Sequence, residues 1–156
     1  MNFTIKPATA ADEPFLWEML YQALHVPPGQ PSFPRAILQQ PEIHQYLAEW
    51  GRAGDFALIA FADEQPAGAA WYRQLPNGYG FVDAATPELT VAVVPAYRGQ
   101  GLGTQLLTEL FKHAQTHVAA LSLSVWADNP AARLYQRLGF ETLGQSGTSL
   151  TMRKWL

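Results

Sequence analysis

The segment that decides the fold is residues 89–110, LTVAVVPAYRGQGLGTQLLTEL. It begins with a short apolar run rich in β-branched residues, positions 89–94, which Pro95 ends. After a glycine-rich stretch, apolar residues recur at helical spacing: Leu102, Leu106, Leu107, Leu110 and Phe111. This pattern predicts a strand, a tight loop and a helix, in that order.

The glycine-rich loop, RGQGLG at positions 98–103, has the properties of an anion site. Its glycines carry no Cβ atom, so backbone N–H groups can approach a ligand closely. The first N–H groups of the following helix lack partners within the helix, and the helix dipole adds partial positive charge there. Arg98 adds a full charge. A phosphate or pyrophosphate is the simplest ligand for such a place.

Three glycine-rich motifs compete for this loop. A P-loop needs a lysine, which the loop lacks, and GxGxxG fails because Thr104 or Leu106 falls in the last position. The pattern [RQ]xxGx[GA] after a strand fits, with Arg98, Gly101 and Gly103. A plain surface loop with three glycines is the alternative.

A second informative segment follows a short strand pattern at positions 121–125. It is ADNPAARLYQRLGFETLG, positions 127–144. Asp128 or Asn129 suits a helix N-cap, Pro130 suits the first helical position, and Gly139 suits the helix end.

Together the two segments resemble the GCN5-related N-acetyltransferase (GNAT) superfamily. The loop is similar to the family's acetyl-CoA pyrophosphate loop, and Asn129, Leu134-Tyr135 and Gly139-Phe140 are similar to its second conserved segment. Many members place the Asn seven residues before the Tyr. Here Asn129 is six before and Asp128 is seven, so either could contact the cofactor. The resemblance is most specific over residues 88–140 and is only a general likeness over the first 55.

The resemblance implies one α/β domain over residues 1–156, with a mixed, mostly antiparallel central sheet and helices on both faces. It implies acetyl transfer from acetyl-CoA to an amine by direct attack in a ternary complex. A non-catalytic acyl-CoA-binding sensor is the alternative. The residues expected to hold acetyl-CoA are Val91, Ala92, Val93, Arg98, Gly99, Gln100, Gly101, Leu102, Gly103, Thr104, Asn129 and Tyr135.

Catalysis requires a proton acceptor, because a free alkylamine with a pKa near 10.4 is protonated at neutral pH. Glu88, at the start of the central strand, is the candidate base, with Asp83 or a water chain as alternatives. Tyr135 stands where the family places its general acid, close to the CoA sulfur. The competing interpretations are a solvated strand-end acid and a packed helix tyrosine.

The composition of the chain excludes several classes of function. The chain has 156 residues and no cysteine, which excludes disulfides and a Cys-acyl intermediate. A net charge of -3 with no basic run argues against nucleic acid, and no apolar run is long enough to span a membrane. A cytoplasmic setting is expected, and the resemblance implies a small-molecule or peptide amine as partner. Many relatives dimerise, so a homodimer fits. His113 and His117 lie one helical turn apart without a third ligand, so no metal is expected.

The remaining pattern predicts strands over residues 3–6, 56–62, 67–74 and 149–156. It predicts a first helix burying Leu16, Met19 and Leu20, and a later helix running to Trp50. Residues 25–34 hold four prolines and form a candidate substrate loop. Trp17 and Tyr21 either face the acceptor or pack on the sheet.

Overall fold

One sheet forms the centre of the computed structural model, which describes residues 2–156. Within that range seven strands lie in the spatial order β1-β2-β3-β4-β5-β7-β6. The strands are β1 (Phe3–Pro7), β2 (Phe56–Ala62), β3 (Gln65–Arg73), β4 (Glu88–Val93), β5 (Ala120–Trp126), β6 (Glu141–Ser146) and β7 (Ser149–Trp155). The helices are α1 (Glu13–Ala23), α2 (Pro41–His44), α3 (Leu102–Ala114) and α4 (Ala131–Arg137).

Helices cover both faces of the sheet, as predicted. On one face α3 buries the stripe Leu102, Leu106, Leu107 and Leu110 against the sheet. On the other face α1 and the α2 region bury Leu16, Met19, Leu20, Ile43 and Leu47. Apolar residues at spacings of three and four therefore mark the inner face of each long helix.

The strands β4 and β5 form the parallel pair of an otherwise antiparallel sheet. They pair at a single position, Glu88 with Ser122. Beyond that position the two strands diverge toward their carboxyl ends. The edge of β4 that faces β5 therefore keeps backbone groups without a partner strand over residues 90–93.

The sequence did not predict β6. Every residue of β6 is exposed, so it shows no alternation between buried and exposed positions. It is held at the sheet edge by pairing with β7. A fully exposed strand has no alternation of apolar and polar residues, so hydrophobic periodicity does not predict it.

The prediction of a helix running to Trp50 was wrong. The helix α2 ends at His44, and turns continue to Glu49, which has a positive φ of 53°. The Arg73 guanidinium accounts for this, because its Nη1 donates to the carbonyls of Gln45 and Ala48 at 2.9 Å each. Ile43 and Leu47 are still buried, so the apolar pattern was correct although the helix is shorter.

Candidate active site

A cleft of about 410 Å³ opens where β4 and β5 diverge. Residues from both strands line it, together with α1, the segment between α1 and α2, the β3–β4 loop and α4. Glu88, Asn129 and Tyr135 all line this one cavity. Residues that are far apart in the sequence are therefore brought together at the gap in the sheet.

Glu88 is a buried carboxyl group, only 4% exposed, at the first position of β4. The Tyr46 hydroxyl donates to its Oε2 at 2.5 Å, and the Gly80 N–H donates to its Oε1 at 3.0 Å. Burial raises the pKa of Glu88 to about 7, although both hydrogen bonds act to lower it. A carboxyl group with this pKa can take and release a proton near neutral pH.

The β3–β4 loop closes over Glu88 because two of its residues have no side chain. A Cβ atom on Gly78 would collide with Glu88 Oε1, and a Cβ atom on Gly80 would lie 2.6 Å from the Leu123 carbonyl carbon. Gly80 therefore lies against the backbone of β5 just beyond the Glu88–Ser122 pair. The residues Pro76-Asn77-Gly78 predict a turn, whereas residues 79–86 show no clear pattern.

Tyr135 projects from α4 into the same cavity, with its ring packed edge-on against Phe140 at 5.8 Å between centroids. Burial raises the pKa of the Tyr135 phenol to about 12. The hydroxyl accordingly stays protonated at neutral pH. It makes no hydrogen bond to any other residue of the described range 2–156. This group is suited to donate a proton or a hydrogen bond to something in the cavity.

The glycine loop has the geometry that an anion site needs. Gly99 and Gly101 both have a φ of +78°, a left-handed conformation that disfavours side chains. The helix α3 begins at Leu102, and its first backbone hydrogen bond runs from the Gln105 N–H to the Gly101 carbonyl. The amide groups before Gln105 therefore have no partner within the helix and can bind an anion.

Arg98 ties this loop to two other elements. Its Nε donates to the Val93 carbonyl at 3.0 Å, and its Nη2 donates to Gln22 Oε1 at 3.2 Å. Both partners are neutral, so they leave the positive charge uncompensated. The guanidinium thus fixes the loop relative to the end of β4 and adds a positive charge beside its amides.

Asn129 and Asp128 occupy different surroundings. Asn129 lines the cavity, and its Oδ1 accepts a hydrogen bond from the Ala131 N–H at 2.9 Å. The N-cap of α4 is Pro130, one residue after the predicted Asp128 or Asn129. The helix itself begins at Ala131, one residue later than predicted. Asp128 lies outside the cavity lining, 3.2 Å from His25 Nε2.

Several other candidate residues lie away from the cleft lining. Asp83 is exposed, and its carboxylate accepts hydrogen bonds from Ala85 N–H and Thr86 Oγ1. Trp17 packs against His44, and the Tyr21 hydroxyl donates to the Phe33 carbonyl. The Tyr21 contact ties α1 to the segment 25–34, and neither ring lines the cavity.

Tyr46 and Tyr79 also line the cavity, and the sequence did not single them out. Tyr46 sits in a segment whose apolar spacing pointed only to a buried helix face. Tyr79 lies in an irregular segment whose position depends on how it folds over β4. His25 and Phe33, in contrast, belong to the segment 25–34, which the prolines marked as a candidate substrate loop, and both line the cavity.

In residues 2–156, no helix is long and apolar enough to cross a membrane. The same range contains no group of three or more potential metal-binding side chains. His113 stacks on Phe56, with 3.4 Å between ring centroids, and on His117.

Comparison with known proteins decides the family. The model of the acetyltransferase (GNAT) family matches residues 17–140. The chain belongs to the GNAT family. Its sheet, with one diverging parallel pair and helices on both faces, is the GNAT fold.

Individual relatives agree with this assignment. The chain is 33% identical to mycothiol acetyltransferase of Brachybacterium faecium over 114 residues, which are 71% of this chain and 34% of that protein. The ribosomal-protein-alanine N-acetyltransferase of Brucella melitensis is 29% identical, with a TM-score of 0.70 over 98% of this chain and 99% of that one. YncA of Salmonella typhimurium, solved with acetyl-CoA, is 24% identical, with a TM-score of 0.71 over 100% and 95% of the two chains. The matched part of this chain spans about a third of the length of the curated relatives.

Proposed function

We propose that this GNAT protein is an acetyl-CoA-dependent N-acetyltransferase that acts on a primary amine by direct attack in a ternary complex. The observation that carries the proposal is that Glu88 and Tyr135 line one cavity at the divergence of β4 and β5. One is a buried carboxyl group with a pKa of about 7, and the other is a phenol with a pKa raised to about 12. Glu88 on β4 supplies a proton acceptor, and Tyr135 on α4 supplies a proton donor.

The loop and β4 supply the binding site for acetyl-CoA. The backbone amides from Gly99 to Thr104, with the charge of Arg98, hold the pyrophosphate. The Val91 backbone and the Val93 N–H, which have no partner strand on the β5 side, hydrogen-bond the amide groups of the pantetheine arm. The Ala92 backbone instead pairs with Ala69 of β3, and the Val93 carbonyl accepts from Arg98 Nε. Asn129 and Tyr135 line the cavity where the thioester lies.

The reaction needs a proton acceptor for the attacking amine and a proton donor for the departing sulfur. Glu88 accepts a proton from the acceptor ammonium, directly or through water, so that the nitrogen lone pair can attack the thioester carbonyl. A C–N bond forms, the C–S bond breaks, and Tyr135 gives its proton to the departing sulfur. The nitrogen then loses its second proton, which returns the Tyr135 phenolate to the neutral phenol. The products are the acetylated amine and CoA thiol. The chain has no cysteine, so no Cys-acyl intermediate is needed or available.

The test is release of CoA thiol, measured with acetyl-CoA and a panel of primary amines, alongside acetyl-CoA binding by calorimetry. We expect binding without amine, and thiol release that depends on the amine. Binding without release on any acceptor would instead indicate a non-catalytic acyl-CoA sensor. Absence of acetyl-CoA binding would contradict both.

A further inference from the structure

The acceptor side of the cavity is mainly apolar. This wall is formed by the end of α1, the segment after it, and α2. The apolar side chains that form it are Leu20, Leu24, Phe33, Ile37 and Ile43. Phe33 and Ile37 are partly exposed, which leaves their surfaces available to an acceptor. Burying an apolar group against this wall is favourable, because both apolar surfaces leave water. Burying a charged group there is not favourable, because the charge loses its hydration.

The cavity carries little charge. Among the described residues that line it, Glu88 is the one carboxylate and His25 is the one basic side chain. Of two carboxylates on neighbouring segments, Glu18 is paired with Arg35, and Asp128 lies outside the cavity lining with its side chain 55% exposed to solvent. An acceptor with a second ammonium group would place it against apolar side chains without a counter-charge, at a desolvation cost.

We propose that the acceptor is a primary amine with one positive charge and a compact apolar body, such as an arylalkylamine. This proposal rests on the proposed N-acetyltransferase function. The single ammonium is directed to Glu88, and the apolar body packs against Phe33 and Ile37. A cleft of about 410 Å³ has the size of a small-molecule site and holds both the thioester end and a compact acceptor.

The first measurement compares kcat/KM for three acceptors at saturating acetyl-CoA: phenethylamine, spermidine and a hexapeptide that begins with alanine. We expect phenethylamine to be preferred by at least about tenfold, because discrimination by an apolar pocket is worth roughly that much. A higher kcat/KM for spermidine or for the peptide overturns the inference, while leaving the enzyme an N-acetyltransferase.

A matched pair of variants tests the assignment of this wall. Gln40 lines the cavity, whereas its neighbour Gln39 is exposed outside it. Gln40→Glu and Gln39→Glu add the same charge with almost no change in shape. We expect Gln40→Glu to raise kcat/KM for spermidine relative to phenethylamine by about fivefold, through attraction of the second ammonium. If the two variants behave alike, the wall does not face the acceptor.

The wider panel of primary amines separates failure of the inference from failure of the proposed function. If acetyl-CoA binds and another amine of the panel releases thiol while none of the three acceptors does, the inference fails and the proposed function stands. If acetyl-CoA binds and no amine of the panel releases thiol, the proposed function fails, and the inference about the acceptor fails with it.

Discussion

Glu88 illustrates how the surroundings of one side chain set its chemistry. In water a glutamate is ionised at neutral pH and is a weak base. Here burial favours the neutral acid, and hydrogen bonds from Tyr46 and Gly80 partly oppose that effect. The result is a pKa of about 7, which lies in the range where a general base is most useful.

The pH profile of kcat should show this ionisation. The base must be ionised to act, so we expect kcat at saturating amine to rise with pH and level off above an apparent pKa of about 7. Glu88→Gln should lower kcat by about 100-fold or more and remove this limb of the profile. A variant that keeps the wild-type profile would show that Asp83 or a water chain is the base.

Stability gives a second readout of the same pKa. The folded pKa lies above the ordinary value, so the folded state binds a proton more tightly than the unfolded chain does. The stabilisation is full below the ordinary pKa of a glutamate and is lost as pH rises through about 7. In urea titrations, Glu88→Gln should therefore show a smaller loss of unfolding free energy between mildly acid and mildly alkaline pH.

Tyr46 positions Glu88, and its removal should shift the pH profile. Tyr46→Phe deletes the hydrogen bond that lowers the pKa of Glu88. We expect the apparent pKa of kcat to rise, so that kcat falls about fivefold near neutral pH and recovers at higher pH. Tyr72→Phe is the control, since Tyr72 is buried but does not line the cleft. A uniform loss of kcat at all pH values would indicate a merely structural role.

Among the elements of the candidate site, the β3–β4 loop is the one whose role the sequence predicted least. The glycine loop was predicted because its function depends on local backbone properties of consecutive residues. The β3–β4 loop acts through Gly80 and Gly78, whose lack of a side chain matters only against Leu123 and Glu88. Such a requirement comes from tertiary contacts, so sequence spacing alone does not reveal it.

Gly80→Ala tests this loop. Its Cβ atom would lie 2.6 Å from the Leu123 backbone, so the loop must move and the N–H bond to Glu88 must lengthen or break. We expect a loss of about 1–3 kcal/mol in unfolding free energy and a clear loss of kcat. Gly144→Ala is the matched control, because no atom lies within 4 Å of a Cβ atom there. Unchanged kcat in Gly80→Ala would remove the loop from the site.

For the whole molecule, the periodic elements could be predicted and the cavity could not. The strand at residues 56–62 and the buried stripe of α3 follow from hydrophobic spacing. The exposed edge strand β6 has no such spacing, and α2 is shortened by Arg73, which comes from a distant strand. The divergence of β4 and β5 likewise depends on the whole sheet. Glu88 and Tyr135 were identified through the family resemblance, while Tyr46 and Tyr79 required the structure.

The most direct test is the effect of Tyr135→Phe on turnover and on acetyl-CoA binding in the same preparation. Glu88 and Tyr135 come from β4 and α4, and the fold brings them to one cavity. If Tyr135 gives its proton to the leaving sulfur, kcat should fall by about 100-fold to 10,000-fold, while the calorimetric Kd for acetyl-CoA changes little. An unchanged kcat, or a loss of binding that accounts for the whole loss of activity, would contradict this role.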